Sequence, residues 1–133
     1  MKKGYLIDGY PRTRTQSSLC AMAGMKPTAL IYVDMKDDQI IEKLCGRRFD
    51  PQTQTFYHTK GIGYPALPDD AEIKARLVTR SDDNEERVKE VIERYKIPTE
   101  DLLEAWKDIV IRVDGSKDAE AVVAEIKEKL DAL

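Results

Sequence analysis

The chain has 133 residues, 41% hydrophobic and 35% charged, with a formal net charge of −3. That length is one domain's worth with a real core, and the mild acidity argues against a general nucleic-acid binder, whose footprint is a basic field. No apolar run approaches a bilayer span, and the Met-Lys-Lys start is not followed by an adequate signal-peptide core before Asp8 and Arg12, so neither membrane insertion nor secretion is expected. Cys20 and Cys45 lack C-x-x-C spacing and read as reduced, buried thiols of an intracellular protein rather than a disulfide or metal pair.

Taken in chain order, residues 5–8 form a short apolar run ended by Gly9 and Pro11, as a buried parallel strand would be. Thr13 begins a helix, with Gln16 completing a capping-box pattern. Residues 29–33 predict a second buried strand. Asp34 or Asp37 starts a helix with Ile40, Ile41 and Leu44 on one side. Residues 49–58, with Asp50-Pro51-Gln52 in the middle, suit a small hairpin, and 61–68 are a breaker-rich loop. Ser81 is expected to cap a long helix whose Asp82, Asp83, Glu85 and Glu86 complement its dipole. Thr99 caps a shorter helix, 109–113 make a third strand, and a helix from Ser116 turns Val122, Val123, Ile126 and Leu130 toward the core. Strands joined by helices predict an α/β fold without linkers or repeats.

Several stretches are more specific than this periodicity. Gly4-Tyr5-Leu6-Ile7-Asp8-Gly9-Tyr10-Pro11-Arg12-Thr13, followed by Gln16, resembles the G-[FY]-[LI]-[LI]-D-G-[FY]-P-R-[ST] signature of nucleoside-monophosphate kinases. Gly46-Arg47-Arg48-Phe49 leading to Phe56-Tyr57-His58 resembles the start of the mobile lid of long-lid adenylate kinases. Arg80-Ser81-Asp82-Asp83-Asn84-Glu85-Glu86 resembles the R-x-D-D-x-E-E segment that closes it, and Val113-Asp114-Gly115-Ser116 the last strand and its turn. The resemblance is to the adenylate kinase family over nearly the whole chain, but no G-x-x-x-x-G-K-[ST] phosphate loop occurs in the sequence. It implies a partial phosphate-loop-kinase core of parallel strands and helices, lacking the first strand and that loop. Residues 1–133 then make a single domain with 47–80 as a small β-rich lid insertion.

The resemblance also implies roles. Arg12 would grip the monophosphate of AMP and Gln16 read the adenine edge, with Asp8 and Gly9 completing the AMP side. Read without it, Arg12 is a surface ion-pair partner and Gln16 only a cap. Asp8 would approach magnesium through water, Mg2+ being expected only if a phosphate loop is supplied; otherwise Asp8 is a structural carboxylate paired with Arg12. Arg47 and Arg80 match the lid-base arginines that neutralise transferring phosphates, or else pair with the 82–86 acidic run. Lys43, Arg47, Tyr57 and Lys117 would face ATP. His58 is assigned to packing rather than catalysis, and the absence of lid cysteines implies no zinc.

Two departures from the family pattern bear on activity. Val91 stands where a second catalytic arginine is expected, with Arg87 and Arg94 one turn away, and Lys43 stands where an arginine lies against the adenine of ATP. Three readings follow: a module inactive alone that serves as a binding or structural part of an assembly, such as a cytoskeletal or ciliary one; an active kinase (ATP plus AMP to two ADP) whose phosphate loop lies on another chain or is missing here; and an AMP-binding regulatory domain. If nucleotide binds, AMP is favoured over ATP. Deleting the family's first strand would leave two strand edges facing a gap, so a homodimer or a partner chain is expected to fill it, in preference to the two strands closing up and pairing directly.

Overall fold

The computed structural model describes residues 4–133. Its centre is a parallel pair of strands, β1 (Leu30–Asp34) and β4 (Val110–Asp114), in register from Leu30 opposite Val110 to Asp34 opposite Asp114. The order strand, helix, strand, helix is α/β, as the alternation predicts, and the two strands end together at Asp34 and Asp114. Gly115 donates its N–H to the Asp34 carbonyl at 2.7 Å, and a Cβ at Gly115 would stand 2.7 Å from Val33 Cγ1, so only glycine allows this close turn.

Helices cover the pair. α1 (Arg14–Met22) is capped by Thr13, whose hydroxyl accepts from the Gln16 amide at 3.2 Å. α2 (Asp37–Cys45) opens with Asp37 and Asp38 in its first turn, complementing its N-terminal dipole. α4 (Glu85–Ala105) packs on α1 and α2, and α5 (Ala119–Asp131), capped by Asp118, packs on β4. Cys20, Val88, Leu102, Leu103 and Val113 are buried at the centre, and the Trp106 indole N–H bonds the hydroxyl of buried Ser17, tying the end of α4 to α1.

Four expectations are corrected. Residues 5–8 are not a strand: a strand is held by its ladder, the nearer edge of β1 does not pair with them, and Tyr5, Leu6 and Ile7 are exposed. The cap of α4 is Asn84, accepting from the Arg87 amide at 2.9 Å; Ser81 instead offers its carbonyl to the Asn84 side chain at 2.7 Å. Thr99 starts no helix, because α4 runs unbroken through Pro98. Burial of Val88 before the proline and of Leu102 and Leu103 after it, each side chain worth roughly 1.5–3 kcal/mol, outweighs the ~3 kcal/mol that an interior proline costs. On α5, Val122 and Ile126 face inward, but Val123 and Leu130 are exposed, since β4 offers only one narrow face to cover.

Between α2 and α4 the chain forms a small antiparallel unit. β2 (Arg47–Asp50) and β3 (Thr55–His58) make the expected hairpin, Val78 bonds both backbone groups of Phe49 at 2.9 Å, and α3 (Ala71–Arg76) closes the unit.

Candidate functional site

The carboxyl ends of parallel strands and the turns beyond them are where α/β folds place ligands. The 8–12 turn is built around Gly9, which adopts φ +68, and its Cβ position lies 2.6 Å from Arg12 Nη2. Glycine therefore satisfies both the left-handed backbone and the guanidinium packed on it. Arg12 donates Nε–H to the Gly9 carbonyl at 2.5 Å, and its backbone N–H is accepted by Gln16 Oε1 at 2.7 Å. The side chain is thus aimed through Nε alone, and among the described residues Nη1 and Nη2 make no hydrogen bond or ion pair. Asp8, exposed beside it, makes none either among the described residues, so the alternative reading of Asp8 as a carboxylate paired with Arg12 is not met. The cleft over this turn encloses about 420 Å³ and is walled by Asp8, Gly9, Arg12, Tyr32, Tyr95 and Thr99. Burial and the Asp34 charge push the Tyr32 hydroxyl up, so it enters the wall as a neutral donor.

The basic residues of the 47–80 segment are arranged differently. Arg47 is held bidentately by Asp83, Nε at 2.9 Å and Nη2 at 2.6 Å, with the Asp83 side chain 3% exposed. The guanidinium also lies 5.2 Å from the centre of the Phe56 ring, and hydrogen bonding to Asp83 raises its proton affinity further against the cost of burial. Its remaining Nη1 is 3.5 Å from the Tyr64 hydroxyl. Asp50 is fully buried and accepts from Arg76 at 2.8 and 2.7 Å, from the Thr53 hydroxyl at 2.8 Å and from the Gln52 amide at 3.0 Å. Arg76 above all, then Thr53 and Gln52, hold its carboxyl well below the usual carboxylate range despite burial. Phe49, Phe56 and Tyr64 stack alongside, at 4.9 and 5.8 Å between ring centres.

The other candidates scatter. Lys43 is half-buried against Gly63, whose Cβ position is 2.5 Å from Lys43 Cε. Tyr57 is half-buried opposite Arg48 in the hairpin. Lys117 bonds Glu125 at 2.8 Å, an ion pair that raises its proton affinity. Arg80 is exposed and bonds no side chain among the described residues. Asp8, Gly9 and Arg12 therefore line one cleft, with Gln16 bonded to the Arg12 backbone but outside its lining, and Lys43, Arg47, Tyr57, Arg80 and Lys117 do not line it. Val91 is exposed on α4, Arg87 is engaged by Glu90 at 2.8 Å, and exposed Arg94 makes no ion pair among the described residues.

Magnesium needs six oxygens in near-octahedral array. Asp8 offers one free carboxylate, which fits an outer-sphere contact through water and not a site of its own; among the described residues no group of three His, Cys, Asp or Glu side chains gathers to hold a metal. Asp83 was legible only as part of a charge run, and Tyr95 and Thr99 only as helix residues. Sequence spacing carried no signal that α4, by passing straight through Pro98, brings the latter two to the cleft.

A parallel pair with helices on it, an arginine-bearing glycine turn beyond an acidic residue and a basic antiparallel insertion define a nucleoside-monophosphate-kinase-like module. Nearly the whole chain is related in sequence to proteins named adenylate kinase. It is 36% identical over 132 residues to "Adenylate kinase, chloroplastic" of Zea mays, covering 99% of this chain and 58% of that protein. It is 36% identical over 129 residues to "Probable adenylate kinase 2, chloroplastic" of Oryza sativa subsp. japonica, covering 97% and 43%. With "Adenylate kinase" of Natronomonas pharaonis it shares 33% over 131 residues, covering 96% and 61%. The chain thus spans about half of the length of these relatives. No family model matches it.

Proposed function

We propose that this chain is a nucleotide-binding module that takes AMP at the 8–16 turn and does not transfer phosphate by itself, serving as a binding or structural part of an assembly. The observation that carries the reading is Arg12: fixed at Nε by the Gly9 carbonyl, it leaves both Nη groups for a phosphate at the mouth of a cleft of nucleoside size. The groups that would serve ATP are committed elsewhere, Arg47 to Asp83 and Lys117 to Glu125, and Val91 brings no charge. AMP is therefore the preferred ligand and ATP the weaker one. Calorimetric titration tests this: AMP binding lost in Arg12→Ala supports it, and ATP binding that is tighter and indifferent to Arg12→Ala overturns it.

A second reading, an active kinase completed by another polypeptide, draws support from a cleft of about 380 Å³ between residues 4–7 and β1, walled by Leu6, Ile7, Tyr10, Cys20, Leu30 and Trp106. A strand from a partner or a second copy would pair there with β1. Its loop would reach the Asp8 and Arg12 end, and only then would Mg2+ have phosphates to bridge. Magnesium-dependent ADP formation that appears on adding a partner carrying a phosphate loop, and falls in Arg80→Ala, would establish this reading over the first. The free thiols of buried Cys20 and half-buried Cys45 suit a reducing intracellular compartment, and no helix of the described residues is long and apolar enough to cross a membrane.

A further inference from the structure

His58 is the one histidine of the sequence, its side chain is fully buried, and nothing above uses it. Its Nδ1 meets two backbone N–H groups, of Lys60 at 3.0 Å and Ile62 at 3.2 Å, while Nε2 lies 3.1 Å from the Glu42 carbonyl at the end of α2. Amide N–H groups can only donate. Nδ1 must therefore accept both, and the ring proton sits on Nε2 and points at Glu42. The His58 backbone adds to the hold, its N–H donating to the Pro65 carbonyl at 2.8 Å. A Cβ at Gly46 would collide with the imidazole, so the glycine that ends α2 is what admits the ring.

The loop gathered on this ring touches two of the basic residues named above. Gly63, at φ +69, presses on Lys43, and the next residue, Tyr64, brings its hydroxyl to Arg47 and its ring to Phe56. The charged groups on the elements around the ring are Glu42, Lys43, Arg47, Arg48 and Lys60. Glu42 is tied to Lys60 at 2.6 Å, Arg47 to Asp83, and Arg48 to the Cys45 and Arg47 carbonyls; Lys43 lies against Gly63. None of their charged atoms bonds the imidazole.

We propose that His58 is a positioning residue. Its neutral ring, accepting twice at Nδ1, holds residues 59–64 against Lys43 and Arg47, and a second ring proton releases that loop. The protonated ring would turn an N–H toward two N–H groups and leave both amides without an acceptor. The latch does not depend on the function proposed above, and it is tested without nucleotide.

The experiment is amide exchange by NMR on the 133-residue chain at about pH 7 and about pH 4.5, native and His58→Asn, corrected for the intrinsic pH dependence of exchange. Asparagine offers Oδ1 near the place of Nδ1 and does not titrate in this range. In the native chain, protection at Lys60 and Ile62 falls about tenfold or more on acidification, while in His58→Asn it stays level. The ring 15N signals near neutral pH show Nε2 protonated and Nδ1 bare. Level protection in the native chain, an equal fall in both chains, or a ring protonated at Nδ1 near neutral pH would each overturn the latch. If His58→Asn does not fold, the ring tautomer and the native profile still decide.

Discussion

The 47–80 segment and the 4–12 segment carry residues of the same chemical kinds and treat them in opposite ways. In the former, Asp50, Arg76, Arg47 and His58 each make two or more hydrogen bonds and are largely removed from water. In the latter, Asp8 makes no hydrogen bond or ion pair among the described residues, Arg12 is anchored by a single side-chain bond, and Tyr5 and Leu6 are exposed. Charged groups closed on one another confer shape, and charged groups aimed but left open confer binding. Resemblance to a motif does not distinguish the two cases, and Arg47 and Arg12 show it: both match phosphate-binding arginines, and of the two only Arg12 has its fork unbonded among the described residues.

The contrast breaks most severely at the buried pair. Arg76→Ala leaves the Asp50 carboxylate buried without its main partner, and a melting temperature lower by roughly 10 °C or more is expected by calorimetry. Next is Gly46→Ala, whose methyl meets the His58 ring; overpacking there should cost about 2–3 kcal/mol in denaturant titration.

Arg12→Ala sharpens the comparison from the other side. AMP affinity should fall about ten- to a hundredfold with melting unchanged, because the lost interaction is to ligand and not to the fold. Removing the α4 cap with Asn84→Ala should cost about 1 kcal/mol.

The effect of pH on Asp50 is graded and not all-or-none. Its carboxyl is depressed in the folded chain, so the unfolded chain takes up the proton first. The stabilisation is complete above the unfolded value near pH 4 and is lost as pH falls below it. Melting followed from pH 5 downward should therefore decline in the native chain and flatten in Asp50→Asn, although that variant starts lower.

Much of this was legible in the residues. β1, β4, the hairpin and α2 lie within a residue or two of where periodicity put them, because each pattern meets a partner that rewards it. Residues 5–8 read as a strand just as clearly and form none, since apolar alternation states what a segment could bury, and pairing needs a neighbour. Thr99 read as the cap of a separate helix, but tertiary burial on both sides of Pro98 prevailed. For the site, the glycine turn and Arg12 were visible as a motif. The Arg47–Asp83 pair was visible only as one option among several acidic neighbours, because a run of carboxylates does not say which one the fold turns inward.

The parallel pairing of Leu30 with Val110 joins segments that lie far apart along the chain, with α2, the 47–80 segment and α4 all between them. The pair cannot close early in folding, because most of the polypeptide must be gathered before a single bond of the ladder forms, and topology of this kind makes folding slow. The same distance makes the sheet tolerant of what lies between: the closure entropy grows only with the logarithm of loop length, and halving the connection changes it by about 0.6 kcal/mol. The intervening unit can therefore lengthen, shrink or be exchanged during evolution with little penalty to the strands that frame the site.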